Sequence, residues 1–361
     1  MSGASPRGDN LAERAFERIL LIKPSSLGDV IHALPVLHGL RTRYPAARID
    51  WLIATAHAAL LEGHPELTGL VRFDRDRYAR LWRSPRAASQ FCGFLRDLRH
   101  AQYDLVIDLQ GLFRSGFFAR ATAAPVRIGF RDAREGAACF YTHHLPVDLP
   151  DTHAVDRNYR VAGLLGFADV PIAFPLALSE TDEAEAGRLL AAAGVNAARK
   201  LVVLVPGARW ETKRWPTAHF AGLIDALAQD ERVQCVLLGG PGEAALCAEV
   251  VAGCRTAPAQ LVGRTTLPQL AALLARADLV VCHDSAAAHL AAALDRPLIC
   301  LTGPTNPSRT GPYRHPEAVV RLPLDCSPCY YRRLSQCGFG HRCLRELSVD
   351  LVVEAVRRVR A

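Results

Sequence analysis

The sequence lacks long apolar runs. None of its stretches holds about 18 consecutive apolar residues, so we expect no helix that spans a membrane. Residues 1–18 are largely polar and contain no apolar core of the kind that a secretory signal needs, so we expect no such signal. Repeats with a period of about 20–50 residues are also missing, which excludes solenoid and propeller architectures.

Several nucleotide-binding and metal-binding motifs are absent as well. No predicted strand is followed by G-x-G-x-x-G, and G-x-x-x-x-G-K-[ST] does not occur, which disfavours dinucleotide and Walker-type ATP sites. The second half has no Asp-x-Asp at the end of a predicted strand, so we expect no catalytic metal held in that way. The net charge of +7 is modest; it suits acidic small molecules or an anionic membrane surface and does not by itself indicate nucleic acid.

The chain does contain two successive series of alternating strands and helices, the pattern of α/β domains with parallel sheets. Its 361 residues suit two domains, and half of them are apolar, which is enough to fill two cores. We predict five segments: a disordered lead-in at 1–17, an N-terminal Rossmann-like domain at 18–170, an interdomain linker and helix at 171–198, a C-terminal Rossmann-like domain at 199–345, and a final helix at 346–361.

The first series opens with a strand, a tight loop and a helix. Ile19–Ile22 is an apolar run typical of a buried strand, and Pro24 with the serines after it ends that strand. Asp29 opens a helix, and the spacing of the apolar residues predicts one helix that continues to Leu40. An acid at this position lies where parallel sheets bind ligands, or else it only caps the helix. Both interpretations of Asp29 stay open from this stretch alone.

In the second series, four strands end in polar or glycine-rich turns, which together predict a ligand-binding edge. Asp284-Ser285 precedes an alanine-rich helix whose first N–H groups and dipole favour an anion such as phosphate. Lys213 lies in a turn from which it could reach the same phosphates, and Glu243 could accept hydrogen bonds from a ribose. For any one residue the alternative is structural: a helix cap, tight packing of alanines, or a solvated charge.

The eleven cysteines fall into two groups. Seven are scattered through apolar segments and resemble small core residues, which fits a reducing cytoplasm. The other four are clustered near the C-terminus, close to His341. The cluster suggests a structural zinc site, a disulfide pair or free thiols, and these alternatives stay open for Cys326, Cys329, Cys337 and Cys343.

Six short motifs, in this order and spacing, resemble those of glycosyltransferase family 9, and most of all its lipopolysaccharide heptosyltransferase I-like members. They are Lys23-Pro-Ser-Ser-Leu-Gly-Asp-Val-Ile-His32, Asp108-Leu-Gln-Gly111 with Arg114-Ser115, Ala133-Arg134-Glu135, Lys213-Arg-Trp-Pro216, His283-Asp-Ser285 with His289, and Gly303-Pro-Thr305. The resemblance covers most of the chain. The motifs are more specific for the family than for any one member.

The resemblance implies a GT-B fold, in which two Rossmann-like parallel-sheet domains face a central cleft. It implies transfer of L-glycero-D-manno-heptose from ADP-heptose, bound by the C-terminal domain, to the Kdo of lipid A, bound by the N-terminal domain. Such transfer inverts the anomeric centre, needs no catalytic cofactor, and takes place in the cytoplasm at the inner face of the inner membrane. The last helix of such enzymes commonly packs back on the N-terminal domain, although its arginines equally suit a membrane surface.

The resemblance also implies a role for each matching residue. Asp29 corresponds to the general base. The acceptor would be bound by Ser26, His32, Arg114, Arg131 and Arg134. The donor would be bound by Arg209, Lys213, Glu243, Asp284, Ser285, Ala286, Ala287 and His289. In one departure, Ala208-Arg209-Trp210 stands where the family often has threonines, so Arg209 would replace a hydroxyl contact with phosphate by a charged one.

Other functions fit parts of the sequence. Another family 9 transferase, such as heptosyltransferase II or III or a protein heptosyltransferase, would share the fold, and the protein heptosyltransferases carry iron at a Cys-rich tail, so iron is an alternative to zinc here. A nucleotide-sugar epimerase on the same fold is a more remote alternative. The aromatic residues of the cluster, beside two arginines, would also suit a zinc-dependent module that binds nucleic acid. The heptosyltransferase interpretation, which involves no nucleic acid, is favoured over these.

Overall fold

Two parallel sheets organise the chain. The computed structural model describes residues 10–78, 84–147 and 149–360, and the chain divides between Ala177 and Leu178 into two compact units. Within the described residues, each unit contains one six-stranded sheet. The predicted α/β class, with a parallel sheet in each half, is confirmed.

The first sheet has six parallel strands, which are β1 (Arg18–Ile22), β2 (Arg48–Ala54), β3 (Gly69–Phe73), β4 (Leu105–Asp108), β5 (Val126–Phe130) and β6 (His143–Leu145). Their order is β3-β2-β1-β4-β5-β6. Ile22, the last residue of β1, pairs with Leu52 of β2 and with Asp108 of β4. The loops that follow β1 and β4 therefore begin side by side.

Seven helices are seen in the described part of the first unit: α1 (Leu27–Ile31), α2 (Leu34–Arg43), α3 (Arg75–Tyr78), α4 (Pro85–His100), α5 (Phe113–Ala121), α6 (Ala154–Tyr159) and α7 (Val161–Leu165). Phe94 of α4 and Phe118 of α5 are buried in one cluster with Leu20 of β1 and Val106 of β4. This apolar layer covers one face of the sheet.

The single helix predicted from Asp29 to Leu40 is wrong, because the structure has two helices there. Pro35 lies at the start of α2 and has no N–H to donate to the carbonyl of Ile31, and its ring also crowds that carbonyl. The backbone therefore leaves the helix at His32 and Ala33 and begins a new one. The apolar spacing continues across the break because the apolar residues of both helices, such as Ile31 and Leu34, are buried.

The second sheet is formed by β7 (Lys200–Val205), β8 (Val233–Leu237), β9 (Ala259–Gln260), β10 (Leu279–His283), β11 (Leu298–Leu301) and β12 (Val319–Val320). Its order is β12-β11-β10-β7-β8-β9, again with parallel pairs. The sequence pattern does not predict β6, β9 or β12. Each is an edge strand of two or three residues, too short for an apolar run to reveal.

The helices described in the second unit are α8 (Glu180–Ala192), α9 (Thr217–Leu227), α10 (Ala244–Gly253), α11 (Leu267–Ala275), α12 (Ala286–Ala293), α13 (Pro307–Thr310), α14 (Arg342–Arg345) and α15 (Val349–Arg360). Residues 171–179, before α8, form neither helix nor strand. No helix in the described ranges is both long and apolar enough to cross a bilayer.

Both ends of the described chain pack into the structure. The predicted disordered lead-in is wrong for residues 10–17, because Leu11 and Phe16 are buried and Phe16 packs edge-on against Tyr44; residues 1–9 lie outside the described residues. The final helix, α15, packs against α9 and β11 of its own unit. Its buried residues belong to the core of that unit, and the prediction that it packs on the N-terminal domain stays a prediction.

We expect Val352→Ala to lower the free energy of unfolding by about 2 kcal/mol, because Val352 is fully buried in the second core and its loss leaves a cavity. Leu351→Ala is the matched control, since Leu351 is 43% exposed on the same helix. Urea unfolding followed by circular dichroism measures both variants. Equal effects of the two substitutions would show that α15 is not part of this core.

Candidate functional site

In the first unit, Lys23 is buried at the point where β1 ends. Its Nζ donates to the carbonyl oxygen of Leu109 at 2.7 Å, and its own carbonyl accepts from Nε1 of Trp51 at 3.1 Å. Burial lowers the pKa of the Lys23 ammonium, while the nearby carboxylates of Asp29 and Asp108 oppose that shift. The lysine side chain therefore joins the loops after β1 and β4.

Asp29 lies next to this lysine. Its Oδ2 accepts from the backbone N–H of Ser26 at 2.9 Å and from the Ser26 hydroxyl at 2.7 Å, and its Oδ1 is 3.9 Å from Nζ of Lys23. The side chain is 42% exposed. Asp29 therefore caps α1 and also presents a carboxylate to solvent. The two interpretations that the sequence left open are compatible, because one carboxylate oxygen makes the cap.

The carboxyl end of β4 is fixed by Asp108. This buried carboxylate accepts from the hydroxyl of Tyr141 at 2.7 Å and from the N–H of Gln110 at 2.8 Å. Burial raises the pKa of Asp108, although its hydrogen bonds oppose the shift. The N–H of Arg134 donates to the carbonyl of Gly111 at 2.9 Å. The predicted loop at Arg134 is thus attached to the loop after β4.

Arg157 is a basic residue of this region that the sequence analysis missed. Its guanidinium donates to Asp132 at 2.7 Å and lies 4.1 Å from the ring centroid of Phe130. The charges of Arg157 and Arg134 both lower the pKa of Lys23, so these arginines are close to it. Arg157 is on α6, and no local motif marks it.

The other predicted acceptor residues are distributed around the same sheet. His32 is buried against the ring of His153, at 5.3 Å between centroids. Arg131 is exposed directly after β5. Arg114 is exposed in the first turn of α5, and its guanidinium lies over the ring of Phe73 on β3. The structure therefore brings Ser26, Asp29 and Lys23 together, while Arg114 is directed towards β3.

In the second unit, Asp284 is the centre of a polar cluster at the end of β10. Its Oδ2 accepts from Nζ of Lys213 at 2.7 Å and from the hydroxyl of Thr305 at 2.6 Å. Nζ of Lys213 also donates to the backbone carbonyl of Asp284 at 3.0 Å, and Nε2 of His289 is 3.7 Å from the other carboxylate oxygen. The Asp284 side chain is only 4% exposed. Asp284 is therefore the buried partner of Lys213, and Ser285 is the N-cap of α12.

The sheet register explains this convergence. Cys282 of β10 pairs with Val205 of β7, and His283 pairs with Leu301 of β11, so the three following loops begin together. Nε2 of the buried His283 accepts from the backbone N–H of Trp215 at 2.8 Å. Burial lowers the pKa of His283 to about 3, so the imidazole is neutral and able to accept this bond. His283 thus fixes the turn that carries Lys213.

The N-terminus of α12 has the features of an anion-binding site. Ala286 and Ala287 have no side-chain atoms beyond Cβ to screen the N–H groups of the first turn. The hydroxyl oxygen of Ser285 is buried and has no hydrogen-bond partner within the described structure. A phosphate oxygen would satisfy these donors and would also interact favourably with the helix dipole.

Glu243 lies against the backbone at the end of β7. Its Oε2 accepts from the N–H of Gly240 at 2.7 Å. A Cβ placed on Gly207 would be 1.8 Å from Oε1 of Glu243, so only glycine leaves room for the carboxylate here. Arg209, two residues further on, is exposed.

The four clustered cysteines are free thiols in the structure. Burial, and to a smaller extent the three other thiols, raises the pKa of Cys343 to about 11, so Cys343 is protonated near neutral pH. In the part of the chain that is described, no group of three or more His, Cys, Asp or Glu side chains is arranged to hold a metal ion. The suggested zinc or iron site at these cysteines has no support from the structure.

Comparison with known proteins gives the family. The chain matches glycosyltransferase family 9 (heptosyltransferase) over residues 92–337. Lipopolysaccharide heptosyltransferase 1 of Pseudomonas aeruginosa is 35% identical to it over 86% of this chain and 86% of that protein. This chain belongs to glycosyltransferase family 9. The family 9 resemblance predicted from its motifs is thus confirmed.

Two further family 9 comparisons agree. Lipopolysaccharide heptosyltransferase 1 of Escherichia coli (strain K12) is 31% identical over 85% of this chain and 94% of its own length. The solved structure of the E. coli heptosyltransferase WaaC with ADP-2-deoxy-2-fluoro heptose is similar with a TM-score of 0.71 and 28% identity, covering 94% of this chain and 99% of that one. The predicted fold, two parallel-sheet α/β domains as in the heptosyltransferases, is confirmed.

We expect Gly207→Ala to weaken ADP binding by roughly tenfold, because the new methyl displaces the Glu243 carboxylate and breaks its bond to Gly240. Gly242→Ala is the matched control, since a Cβ at Gly242 meets nothing within 4 Å. Isothermal titration with ADP measures both. Unchanged affinity in the Gly207 variant would remove Glu243 from the nucleotide site.

Proposed function

We propose that this family 9 enzyme transfers L-glycero-D-manno-heptose from ADP-heptose to the Kdo of lipid A, a step of lipopolysaccharide inner-core synthesis. The observation that carries the proposal is the cluster of Lys213, Asp284 and Thr305 beside the N-terminus of α12, in a chain whose relatives include lipopolysaccharide heptosyltransferase 1. This combination of a cation, a carboxylate and free helix N–H groups suits a sugar joined to a diphosphate.

The second unit is assigned to the donor. Lys213 and the first N–H groups of α12 would bind the diphosphate, and the hydroxyl of Ser285 has the unsatisfied capacity to do the same. Asp284 and His289 would hold the heptose, and Glu243 would accept hydrogen bonds from the ribose. Arg209, exposed at the same edge, would add a charged contact to phosphate.

The first unit is assigned to the acceptor and to proton transfer. The acceptor hydroxyl oxygen forms a bond to the anomeric carbon while the bond from that carbon to ADP breaks, so the configuration inverts. Asp29 accepts the hydroxyl proton, and Nζ of Lys23 lies 3.9 Å from its carboxylate. The negative charge gained by ADP is stabilised by Lys213 and the helix N-terminus, and the reaction requires no metal. Ser26, His32, Arg114, Arg131 and Arg134 would bind the acidic acceptor.

The site of action follows from the acceptor. Lipid A is anchored in a membrane, so the enzyme would act in the cytoplasm as a peripheral protein on the inner membrane. Exposed Arg357 and Arg358 near the end of α15 would contribute to attraction by anionic lipid.

The test of this function is transfer by the purified protein from ADP-heptose to Kdo₂-lipid A in the presence of EDTA, followed by mass spectrometry. We expect the acceptor to gain the mass of one heptose. If only an acceptor that already carries heptose, or a protein, gains this mass, the proposed acceptor is wrong and the proposed donor is retained. Loss of transfer with EDTA that Mg²⁺ restores would overturn the metal-free mechanism.

We expect Asp29→Asn to lower kcat by about 10²–10⁴-fold, because the amide still accepts from the Ser26 N–H but cannot take up the acceptor proton. The affinity for ADP should stay within about twofold of the unsubstituted protein. Asp97→Asn, which changes an exposed carboxylate on α4, is the control. A variant that keeps normal kcat would exclude Asp29 as the base, and one that loses ADP affinity would contradict the separation of base and donor site.

A further inference from the structure

The Cys-rich segment, residues 326–345, is attached to two loops of the donor site. The backbone N–H groups of Cys329 and Tyr330 donate to the carbonyl of Pro304 at 3.1 and 2.8 Å, next to Thr305. These bonds attach the segment to the loop after β11, whose Thr305 donates to the carboxylate of Asp284.

The same segment is also attached to the turn that carries Lys213. The N–H of Glu211 donates to the carbonyl of Arg332 at 3.1 Å, and the Thr212 hydroxyl donates to the carbonyl of Tyr331. Nε2 of the buried His341 donates to the carbonyl of Thr212 at 2.8 Å. The segment therefore has a defined position against both loops.

Close packing keeps the segment in place. Leu344 is fully buried in the core of the second unit. A Cβ on Gly303 would be 2.8 Å from Sγ of Cys343 and 3.0 Å from Cγ of Leu344, so the segment lies in direct contact with the backbone after β11. The outer part of the segment is exposed, so its polar residues are accessible to a ligand.

Arg332 is the residue of this segment whose side chain contacts Trp210, in the turn that leads to Lys213. Its guanidinium carbon lies 5.1 Å from the ring centroid of Trp210, and Nζ of Lys213 lies 4.7 Å from the ring of the same tryptophan. Trp210 thus contacts two cations, Lys213 from its own turn and Arg332 from the Cys-rich segment more than 100 residues later in the chain. An indole ring orients a guanidinium without neutralising its charge.

The charges around Trp210 suggest that Arg332 binds an anion. Lys213 is paired with buried Asp284, so this pair brings no net positive charge to a diphosphate. In the part of the chain that the structure describes, no carboxylate forms an ion pair with Arg332. An exposed guanidinium that contacts the same indole ring as Lys213 has the donor geometry to bind phosphate oxygens.

We propose that Arg332, presented by the Cys-rich segment and oriented by Trp210, binds the diphosphate of the nucleotide-sugar donor beside Lys213. This inference rests on the proposed donor site and adds to it a binding residue that comes from outside the family motifs. It also gives the Cys-rich segment a function in substrate binding that requires no metal.

The test compares Arg332→Ala with Arg333→Ala, the neighbouring exposed arginine, by isothermal titration at low salt. We expect Arg332→Ala to weaken ADP binding by about tenfold and AMP binding by much less, because the lost contact is to the second phosphate. Arg333→Ala should bind ADP within twofold of the unsubstituted protein. Arg332→Lys should recover part of the lost affinity. All three variants should keep the unfolding midpoint, because the side chains are exposed.

A purely structural role for Arg332 would give the opposite pattern: equal losses for ADP and AMP, with a lower unfolding midpoint. If Arg332→Ala binds ADP as tightly as Arg333→Ala does, the inference about Arg332 is wrong. The proposed donor site would still stand in that case, provided that the unsubstituted protein binds ADP. Failure of the unsubstituted protein to bind ADP or ADP-heptose would instead overturn the proposed function itself.

Discussion

The buried ion pair between Lys213 and Asp284 constrains much of the second unit. A carboxylate that is 4% exposed must be compensated, and leaving either charge unpaired costs about 3–5 kcal/mol. The loops after β7, β10 and β11 are therefore held in one arrangement, with Thr305 completing the shell of donors around the carboxylate. The neutral His283 stabilises the same arrangement by accepting a hydrogen bond from the backbone N–H of Trp215.

The pairing of Lys213 with Asp284 also limits the positive charge that this site offers to a ligand. In the proposed donor site, a lysine that is already paired does not by itself neutralise a diphosphate, so helix N–H groups and arginines would balance the remaining charge. The turn that leads to Lys213 contains Ala208-Arg209-Trp210, and Trp210 contacts both Lys213 and Arg332. The Trp210 ring thus connects this turn with the Cys-rich segment.

The first unit follows a related plan. A lysine and an aspartate again form a pair, here the buried Lys23 at the end of β1, but its partner Asp29 is 3.9 Å away and 42% exposed. The Asp29 carboxylate is therefore much more exposed than that of Asp284, which is 4% exposed and 2.7 Å from its lysine. The difference in burial therefore separates a candidate base from a positioning group, although both are aspartates beside lysines.

The sequence by itself determined the α/β class, the longer strands and the site loops, because apolar runs such as Ile19–Ile22 and the polar turns after them are local features. It also determined that Asp284 directly follows a strand and that Asp29 and Lys213 lie in the segments after two other strands. Only the tertiary structure decided that Asp284 pairs with Lys213, that Arg157 lies near Lys23, and that α15 completes the second core. These facts depend on contacts between residues far apart in the chain, on the order of strands in the sheet, and on which face each helix buries. Local patterns carry no record of such contacts, so the sequence could not reveal them.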